Sequence, residues 1–428
     1  MFLPPDKSIA HRALMLACLS EGETFISALP ENEDIAATIR CLRALGAEIE
    51  DTGLLRSQLP RNDNSTSVIA SVAKQSRDGT FFNVRVRGPM TWPTVPVTLD
   101  CGESGTTFRL LLGFLAGLPV TATLIARGSL VHRPMDRVID PLRKMGADID
   151  DTDKSKITIY GKKLHGITHR NIPASAQVKS ALLLASLHAS GETIVEEPLP
   201  TRDHTEKLLQ WIRTEKRNEI KIPGDFSSAA FLIAEGLLFP DVPIHLQEVG
   251  INSTRTGFLE ALSMMGAELQ ITNRQQWGLE PVADIIVKPA SLRGITIGNP
   301  LIPRLIDELP LIAVLGAMAK GTTHVQEAQE LRFKESDRIG SLVQEFSKLG
   351  IHIQETADGF IVEGGEPLKG ATVSSHGDHR LAMSLALLGL LAEGKTTIHG
   401  ACAVAKSYPD YFHALRARHP RRISSLTY

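Results

Sequence analysis

The chain has 428 residues, 43% of them hydrophobic, and its 46 basic and 48 acidic side chains leave a formal net charge of -2. That length exceeds one ordinary core and predicts two domains. The balanced charge argues against a nucleic-acid binder, which would carry a basic excess. The N-terminus lacks the basic-then-apolar pattern of a signal peptide. The four cysteines (Cys18, Cys41, Cys101, Cys402) are scattered, with no CxxC and no Cys/His spacing for zinc. They read as reduced, mostly buried thiols of a cytoplasmic protein.

In chain order, one pattern recurs. A small polar or acidic turn precedes an apolar helix, a Gly or Pro break follows, and then a β-branched strand. The first copy predicts a helix over 12–20 and a strand over 22–26. An amphipathic helix then ends in Leu45-Gly46 and leads to the strand Ala47-Glu48-Ile49. Gly after the last apolar residue is a helix C-cap signal. Residues 56–80 are polar and aperiodic and read as an inserted surface loop.

A second unit starts near Ser104. The uncharged run from Leu110 to Ala126 is short for a membrane span and holds Pro119, so it predicts a buried helix followed by a strand. Met145-Gly146 repeats the cap. A third helix (179–190) and strand (191–195) follow, but 213–221 runs straight on to Pro223, which makes the third unit short. The fourth unit starts near Ser227 and ends its second helix in Met265-Gly266, before a strand at 267–269. A fifth pairs helix 309–320 with strand 321–325 and ends in Leu349-Gly350. A sixth pairs helix 381–393 with strand 394–398. Six units imply a repeat architecture. The third and sixth lack the second, Gly-capped helix.

The first helix of each unit is apolar nearly all round, as in 110–116 and 381–392. Such a helix is buried on all sides. The predicted fold class is therefore α/β with helices inside and sheets around them. Ser8, Ser104, Ser175, Ser227, Asp307 and Asp378 would gather at the N-terminal ends of these helices, where free N–H groups favour anions.

Between the apolar segments lie dense clusters of cations and carboxylates. Leu331-Arg332-Phe333-Lys334-Glu335-Ser336-Asp337-Arg338 is the densest. Asp6-Lys7-Ser8-Ile9-Ala10-His11-Arg12, His132-Arg133-Pro134-Met135, Thr201-Arg202-Asp203-His204-Thr205-Glu206 and Gly377-Asp378-His379-Arg380 repeat the type. Their convergence suggests a multiply anionic substrate that also undergoes proton transfer. His11, His204 and His379 suit structural hydrogen bonds as well as direct roles. Cys101 has no base marked out for it and is not read as a nucleophile.

Taken in order, these motifs resemble the enolpyruvyl transferase family, its 5-enolpyruvylshikimate-3-phosphate synthase (3-phosphoshikimate 1-carboxyvinyltransferase) branch in particular. The matching stretches are Pro5 to Ala13, Asp100 to Thr107, Arg133-Pro134-Met135, Ser175 to Ala181, Arg202 to Glu206 and Pro223 to Ala230. They continue with Ile306-Asp307-Glu308, Leu331 to Arg338, Asp378-His379-Arg380 and Lys406 to Asp410. Any one motif is weak, and the ordered set is specific.

The resemblance implies two domains, each of three βαβαββ units. They are expected at 6–222 (units 1–3, with the 56–80 insertion) and at 223–428 plus 1–5, with the site in the cleft between them. It implies transfer of the enolpyruvyl group of phosphoenolpyruvate to the 5-hydroxyl of 3-phosphoshikimate, with phosphate leaving through a tetrahedral intermediate. No metal, cofactor, nucleic acid or membrane partner is expected, and the chain is expected to be monomeric.

The resemblance also assigns residues. Lys7 would pair with the phosphoenolpyruvate phosphate, with Gly105 lending a backbone N–H and Arg133 and Gln177 completing the pocket. Ser8 and Arg12 would hold the shikimate carboxylate. Ser175, Ala176 and Gln177, with Arg202, would take the 3-phosphate. Asp307 would accept the 5-hydroxyl proton and Lys334 would bond that hydroxyl. Glu335 would protonate the methylene carbon, Lys406 would sit near the leaving phosphate, and Arg338 and Arg380 would bind the phosphoenolpyruvate carboxylate. The residue types suit the reaction: two polyanions need several fixed cations, and concerted proton traffic needs an acid and a base held apart.

Glu103 stands where the family usually has Asn, and a carboxylate near a bound phosphate is repulsive. A catalytically impaired, anion-binding homologue is thus the alternative. The related transferase acting on UDP-N-acetylglucosamine would need a Cys in the loop Arg127 to Pro134, which has none. An RNA-processing protein of similar fold is disfavoured by the net charge of -2.

Overall fold

A computed structural model of the chain describes Met1 and residues 3–53, 81–214 and 218–428. The insertion expected at 56–80 lies outside them. The described residues form two compact units. The N-terminal unit is Pro4–Pro223 with Gln276–Glu280, and the C-terminal unit is Met1–Leu3, Gly224–Gln275 and Pro281–Tyr428.

In the N-terminal unit three helices form the interior: α1 (Lys7–Ala17), α3 (Gly105–Ala116) and α5 (Ala176–Ser186). Eleven of the twelve α3 residues are buried, as its largely apolar sequence demands. Burying a Leu or Phe side chain contributes roughly 1.5–3 kcal/mol, and α3 alone buries Phe108, Leu110, Leu111, Leu112, Phe114 and Leu115. The amphipathic helices α2 (Glu33–Ala44), α4 (Asp136–Lys144) and α6 (His204–Thr214) complete the unit.

Its first sheet holds β1 (Gly22–Pro30), β2 (Glu48–Asp51) and β3 (Phe81–Gly88). The second holds β4 (Val97–Asp100), β5 (Thr121–Ile125), β6 (Asp148–Asp153) and β7 (Lys156–Tyr160) in the order β4-β5-β7-β6. The third unit has no such hairpin. It has two short parallel pairs, β8 (Leu164–His165) with β10 (Ala189–Ser190) and β9 (Thr168–Arg170) with β11 (Ile194–Glu196). Its shortness does not leave β1 unpartnered, because β12 (Glu219–Lys221) pairs with it in parallel and gives the order β12-β1-β3-β2.

The C-terminal unit repeats the plan. Its inner helices are α7 (Phe226–Leu238), α10 (Leu309–Met318) and α12 (His379–Leu391), with α8 (Gly257–Met264), α9 (Ile302–Leu305), α11 (Arg338–Lys348) and α13 (Tyr411–Arg418) beside them. One sheet is β13 (Ile244–Gly250), β15 (Glu280–Val287) and β14 (Gln270–Trp277), in that order. A second is β16 (Thr296–Ile297), β17 (Gly321–Val325), β19 (Phe360–Gly364) and β18 (His352–Glu355). The third is β20 (Thr372–Ser374), β21 (Thr396–His399) and β22 (Leu426–Thr427). Met1 donates to the His245 carbonyl at 2.5 Å and accepts from the Gln247 N–H at 3.0 Å. That is the alternation of a parallel pair, so the first residue fills the place beside β13 that β12 fills beside β1.

The repeated C-cap glycines are left-handed, with φ of +97° at Gly46, +100° at Gly146, +93° at Gly266 and +86° at Gly350. Gly46 N donates to Arg43 O and Ala47 N to Leu42 O at 3.0 and 2.9 Å, the double bond of a Schellman cap. Boundaries differ from the sequence expectation at several points, among them the helix expected over 179–190, which spans Ala176–Ser186 and leaves Ala189–Ser190 to β10. The first helix starts at Lys7, not Arg12, because the Asp6 carboxylate accepts from Ile9 N at 3.0 Å and caps it there. The strand after Gly266 starts at Gln270 rather than at Ala267. The run Leu110 to Ala126 resolves into the end of α3 and β5. Among the described residues no helix is long and apolar enough to cross a membrane.

Candidate active site

The polar residues of the N-terminal unit collect at the starts of α1, α3 and α5. Lys7 and Ser8 lie in the first turn of α1. Lys7 Nζ pairs with Asp34 Oδ2 at 2.8 Å, and Arg202 Nη1 donates to Ser8 Oγ at 3.4 Å. Arg12, one turn on, is 2% exposed. Its Nε donates to Thr205 Oγ1 (2.7 Å), Nη1 to the Ser8 carbonyl (2.7 Å) and Nη2 to Ser180 Oγ (2.6 Å). A buried guanidinium needs such partners, and these lock the Lys7–Ser8 turn onto α5 and α6.

The second group surrounds the start of α3, capped by Ser104. Gly105 is its first residue, and a Cβ placed there would lie 2.9 Å from Arg133 Nη1 and 3.0 Å from Arg109 Nη1. Only glycine lets both guanidinia come this close to the helix start. Gln177, in the first turn of α5, accepts from Arg109 Nη1 at 2.6 Å and donates to Thr106 Oγ1 at 3.0 Å. Ser175 caps α5 and Ala176 is its first residue. Arg133 follows the 3-10 turn Gly128–His132. Two helix N-termini and two arginines make an electropositive pocket wall suited to phosphate. The Glu103 side chain is exposed and lies against the Gly128 backbone.

The loop bearing Arg202 is held from α5. Lys179, 5% exposed at its side chain, lies 2.7 Å from Glu197 Oε2 and 2.7 Å from Glu206 Oε1.

In the C-terminal unit Arg338, the first residue of α11, is the hub. Its side chain is 2% exposed. Nε meets Asp378 Oδ2 at 2.7 Å, Nη2 meets Glu335 Oε2 at 2.5 Å and Nη1 meets Asp307 Oδ1 at 3.3 Å. Burial disfavours the Arg338 cation, but Asp378, Glu335 and Asp307 more than offset that, so its pKa stands above the usual arginine value. Asp307 also lies 3.7 Å from Lys334 Nζ and 3.7 Å from Arg380 Nη2. Asp378 caps α12, directly before His379 and Arg380. Lys406, at the end of the 3-10 turn Ala401–Lys406, donates to the Gly377 carbonyl at 3.3 Å. The candidate base, the candidate acid and four of the candidate cations thus share one neighbourhood.

Several participants were given no role from the sequence. Asp34 holds Lys7, and Arg109 holds Gln177. Buried Glu308 accepts from Ser227 Oγ at 2.6 Å, which in turn accepts from Arg255 Nη2 at 2.8 Å. One signal was available: Arg109 is the charge that opens an otherwise uncharged buried helix and so must have a polar partner. Cys101 is fully buried, with a pKa raised chiefly by its contact with Cys41 and by burial, the opposite of a nucleophile's thiol. Asp203, His204 and Glu280 could together offer three ligand atoms to a metal ion. Lys207 Nζ already lies 3.6 Å from Asp203 and 3.9 Å from Glu280, which puts a cation where an ion would go.

Comparison with other proteins supports the reading of the fold. The enolpyruvyl transferase NikO from Streptomyces tendae superposes with a TM-score of 0.73 over 98% of this chain and 94% of its own, at 17% identity. That likeness defines the fold class, a two-unit α/β protein of enolpyruvyl transferase architecture. EPSP synthase from Acinetobacter baumannii superposes with a TM-score of 0.78 at 37% identity, over 98% of this chain and 95% of that one. The 3-phosphoshikimate 1-carboxyvinyltransferase of Desulforudis audaxviator (strain MP104C) is 43% identical, covering 97% of this chain and 96% of the relative. That of Gloeobacter violaceus (strain ATCC 29082 / PCC 7421) is also 43% identical, over 96% and 95%. The EPSP synthase (3-phosphoshikimate 1-carboxyvinyltransferase) family model matches residues 2–415, and the chain belongs to that family.

Proposed function

We propose that this chain transfers the enolpyruvyl group of phosphoenolpyruvate to the 5-hydroxyl of 3-phosphoshikimate, releasing phosphate. Family membership over nearly the whole chain supports the reaction. The observation that carries the chemistry is the Asp307–Arg338–Glu335 arrangement, in which one guanidinium holds two carboxylates on different nitrogens.

Asp307 takes the proton from the 5-hydroxyl as its oxygen attacks C2 of phosphoenolpyruvate, and Lys334 bonds the same hydroxyl. Glu335 delivers a proton to the methylene carbon, giving the tetrahedral intermediate. Loss of that methyl proton and of phosphate then restores the double bond. A carboxylate paired with arginine resists protonation. The phosphoenolpyruvate carboxylate, binding Arg338 and Arg380, draws Arg338 away from Glu335 and lets Glu335 carry its proton.

Lys7, Gly105, Arg133 and Gln177 take the phosphate of phosphoenolpyruvate, with Lys406 assisting its departure. Ser175, Ala176, Gln177 and Arg202 take the 3-phosphate, and Ser8 and Arg12 the shikimate carboxylate. Fixed cations and helix N-termini offset the repulsion between two polyanions. A monomeric, cytoplasmic enzyme that uses no cofactor belongs to the same reading.

The test is phosphate release from the purified protein with both substrates and with each omitted. Release that requires both is expected. A folded protein that binds 3-phosphoshikimate without turnover would make it an impaired homologue instead.

A further inference from the structure

His11 is fully buried in α1 and takes no place in the roles above. Its Nδ1 lies 2.6 Å from Thr38 Oγ1 on α2, which lies 2.7 Å from Thr107 Oγ1 in the first turn of α3. Thr107 Oγ1 lies 2.7 Å from Ser104 Oγ, the cap of α3, and donates to the Asp34 carbonyl at 3.3 Å. Asp34 in turn holds Lys7 through its carboxylate. Thr38 and Thr107 are each 0% exposed. One chain of hydrogen bonds thus joins the three helix starts that carry Lys7, Asp34 and Gly105.

The direction of that chain follows from donor counting. The Asp34 carbonyl only accepts, so the Thr107 hydroxyl spends its single proton there. Its two lone pairs then accept from Ser104 and Thr38, and the Thr38 hydroxyl, having given its proton to Thr107, accepts from His11. That ordering assigns the His11 proton to Nδ1. Its Nε2 is buried without a hydrogen-bond partner among the described residues. As a bare acceptor that nitrogen is tolerable, whereas as an N–H it would be an orphan donor of high cost. Burial, opposed by the Asp34 carboxylate and helped by the cations of Lys7 and Arg12, lowers the pKa of the ring to about 3, which keeps it neutral.

We propose that His11 is a positioning residue: as the Nδ1–H imidazole it sets the polarity of the Thr38–Thr107–Ser104 chain, holding the start of α3 and the Lys7–Asp34 pair in register for the phosphate of phosphoenolpyruvate. The inference rests on the reaction proposed above. It names a specific dependence, because the 3-phosphoshikimate contacts Ser175 and Arg202 lie on other segments, and Ser8 and Arg12, though on α1, are tied to Arg202, Ser180 and Thr205 rather than to the Thr38–Thr107 chain.

The experiment compares wild type with His11→Phe, His11→Asn and Thr38→Val, varying each substrate at saturating levels of the other. His11→Phe and Thr38→Val are expected to raise KM for phosphoenolpyruvate by about tenfold, the size of one lost buried hydrogen bond, and KM for 3-phosphoshikimate by less than about twofold. His11→Asn, which keeps an N–H donor, is expected to recover most of the loss. Equal rises in both constants, or a lowered Tm with both unchanged, overturns the proposal. NMR of the labelled imidazole reads the tautomer without turnover. A protonated Nδ1 is expected, and a protonated Nε2 overturns the relay even if the reaction reading holds. Absence of turnover in wild type, by contrast, removes the reaction reading and with it the stated role, whatever the tautomer.

Discussion

Arg338 Nη2 donates to Glu335 Oε2 at 2.5 Å, three residues back along the chain and across the start of α11. The contact joins the candidate acid to a buried cation that also holds Asp307 and Asp378. In the proposed mechanism, a substrate carboxylate at Arg338 would compete with Glu335 for this guanidinium. Glu335→Gln keeps the shape and removes the proton transfer. We expect kcat to fall by about 10²–10⁴ with both KM values changed far less, as steady-state kinetics will show. Loss confined to KM would assign Glu335 to binding.

Asp307→Ala is expected to lower turnover by a similar factor, about 10²–10⁴, while 3-phosphoshikimate binding, read by calorimetry, stays within about threefold. A parallel loss of binding and turnover would count against Asp307 as the base.

Removing the hub has a different signature. Arg338→Met leaves the fully buried carboxylate of Asp378 without its cation. Breaking a buried ion pair costs about 3–5 kcal/mol, so chemical denaturation should show a loss of that size, whereas Glu335→Gln, at a partly exposed side chain, should show much less.

Gly105→Ala places a methyl about 3 Å from the guanidinia of Arg133 and Arg109. The arginines must shift, and KM for phosphoenolpyruvate should rise by about tenfold or more. In the wild type the open position leaves room for a phosphonate analogue of phosphoenolpyruvate. Glyphosate should therefore compete with that substrate, and inhibition that is uncompetitive or absent would refute this. The alanine variant should be less sensitive.

Stability should fall in acid partly through His11. Its folded pKa of about 3 lies below the ordinary 6.5. Between those values the unfolded chain binds a proton at this ring that the folded chain does not. The contribution is therefore complete above the ordinary value and lost as the pH falls toward the folded one, with a slope of up to about 1.4 kcal/mol per pH unit. In His11→Phe the slope of unfolding free energy against pH should be shallower in that window.

Much of the architecture could be read from the chain itself. The six copies were visible because each inner helix is apolar nearly all round, and in four of them the second helix ends at a left-handed Gly. Those features are local, and they mark the same positions each time. The candidate catalytic motifs were visible for a related reason: Lys334, Glu335 and Arg338 are neighbours along the chain, and Asp378 and Arg380 likewise.

The string of residues therefore specifies the α/β repeat, its buried helices and the residue types gathered at the helix starts. Only the folded chain decides which partners meet. Arg12 reaches Thr205 across 193 positions, and His11 reaches Thr38 across 27. No periodicity encodes such pairs. Likewise β12 completes the first sheet, while Met1 lies along β13. Burial makes these choices, because a guanidinium, an imidazole or a strand edge removed from water must find its complement among whatever the fold brings within reach.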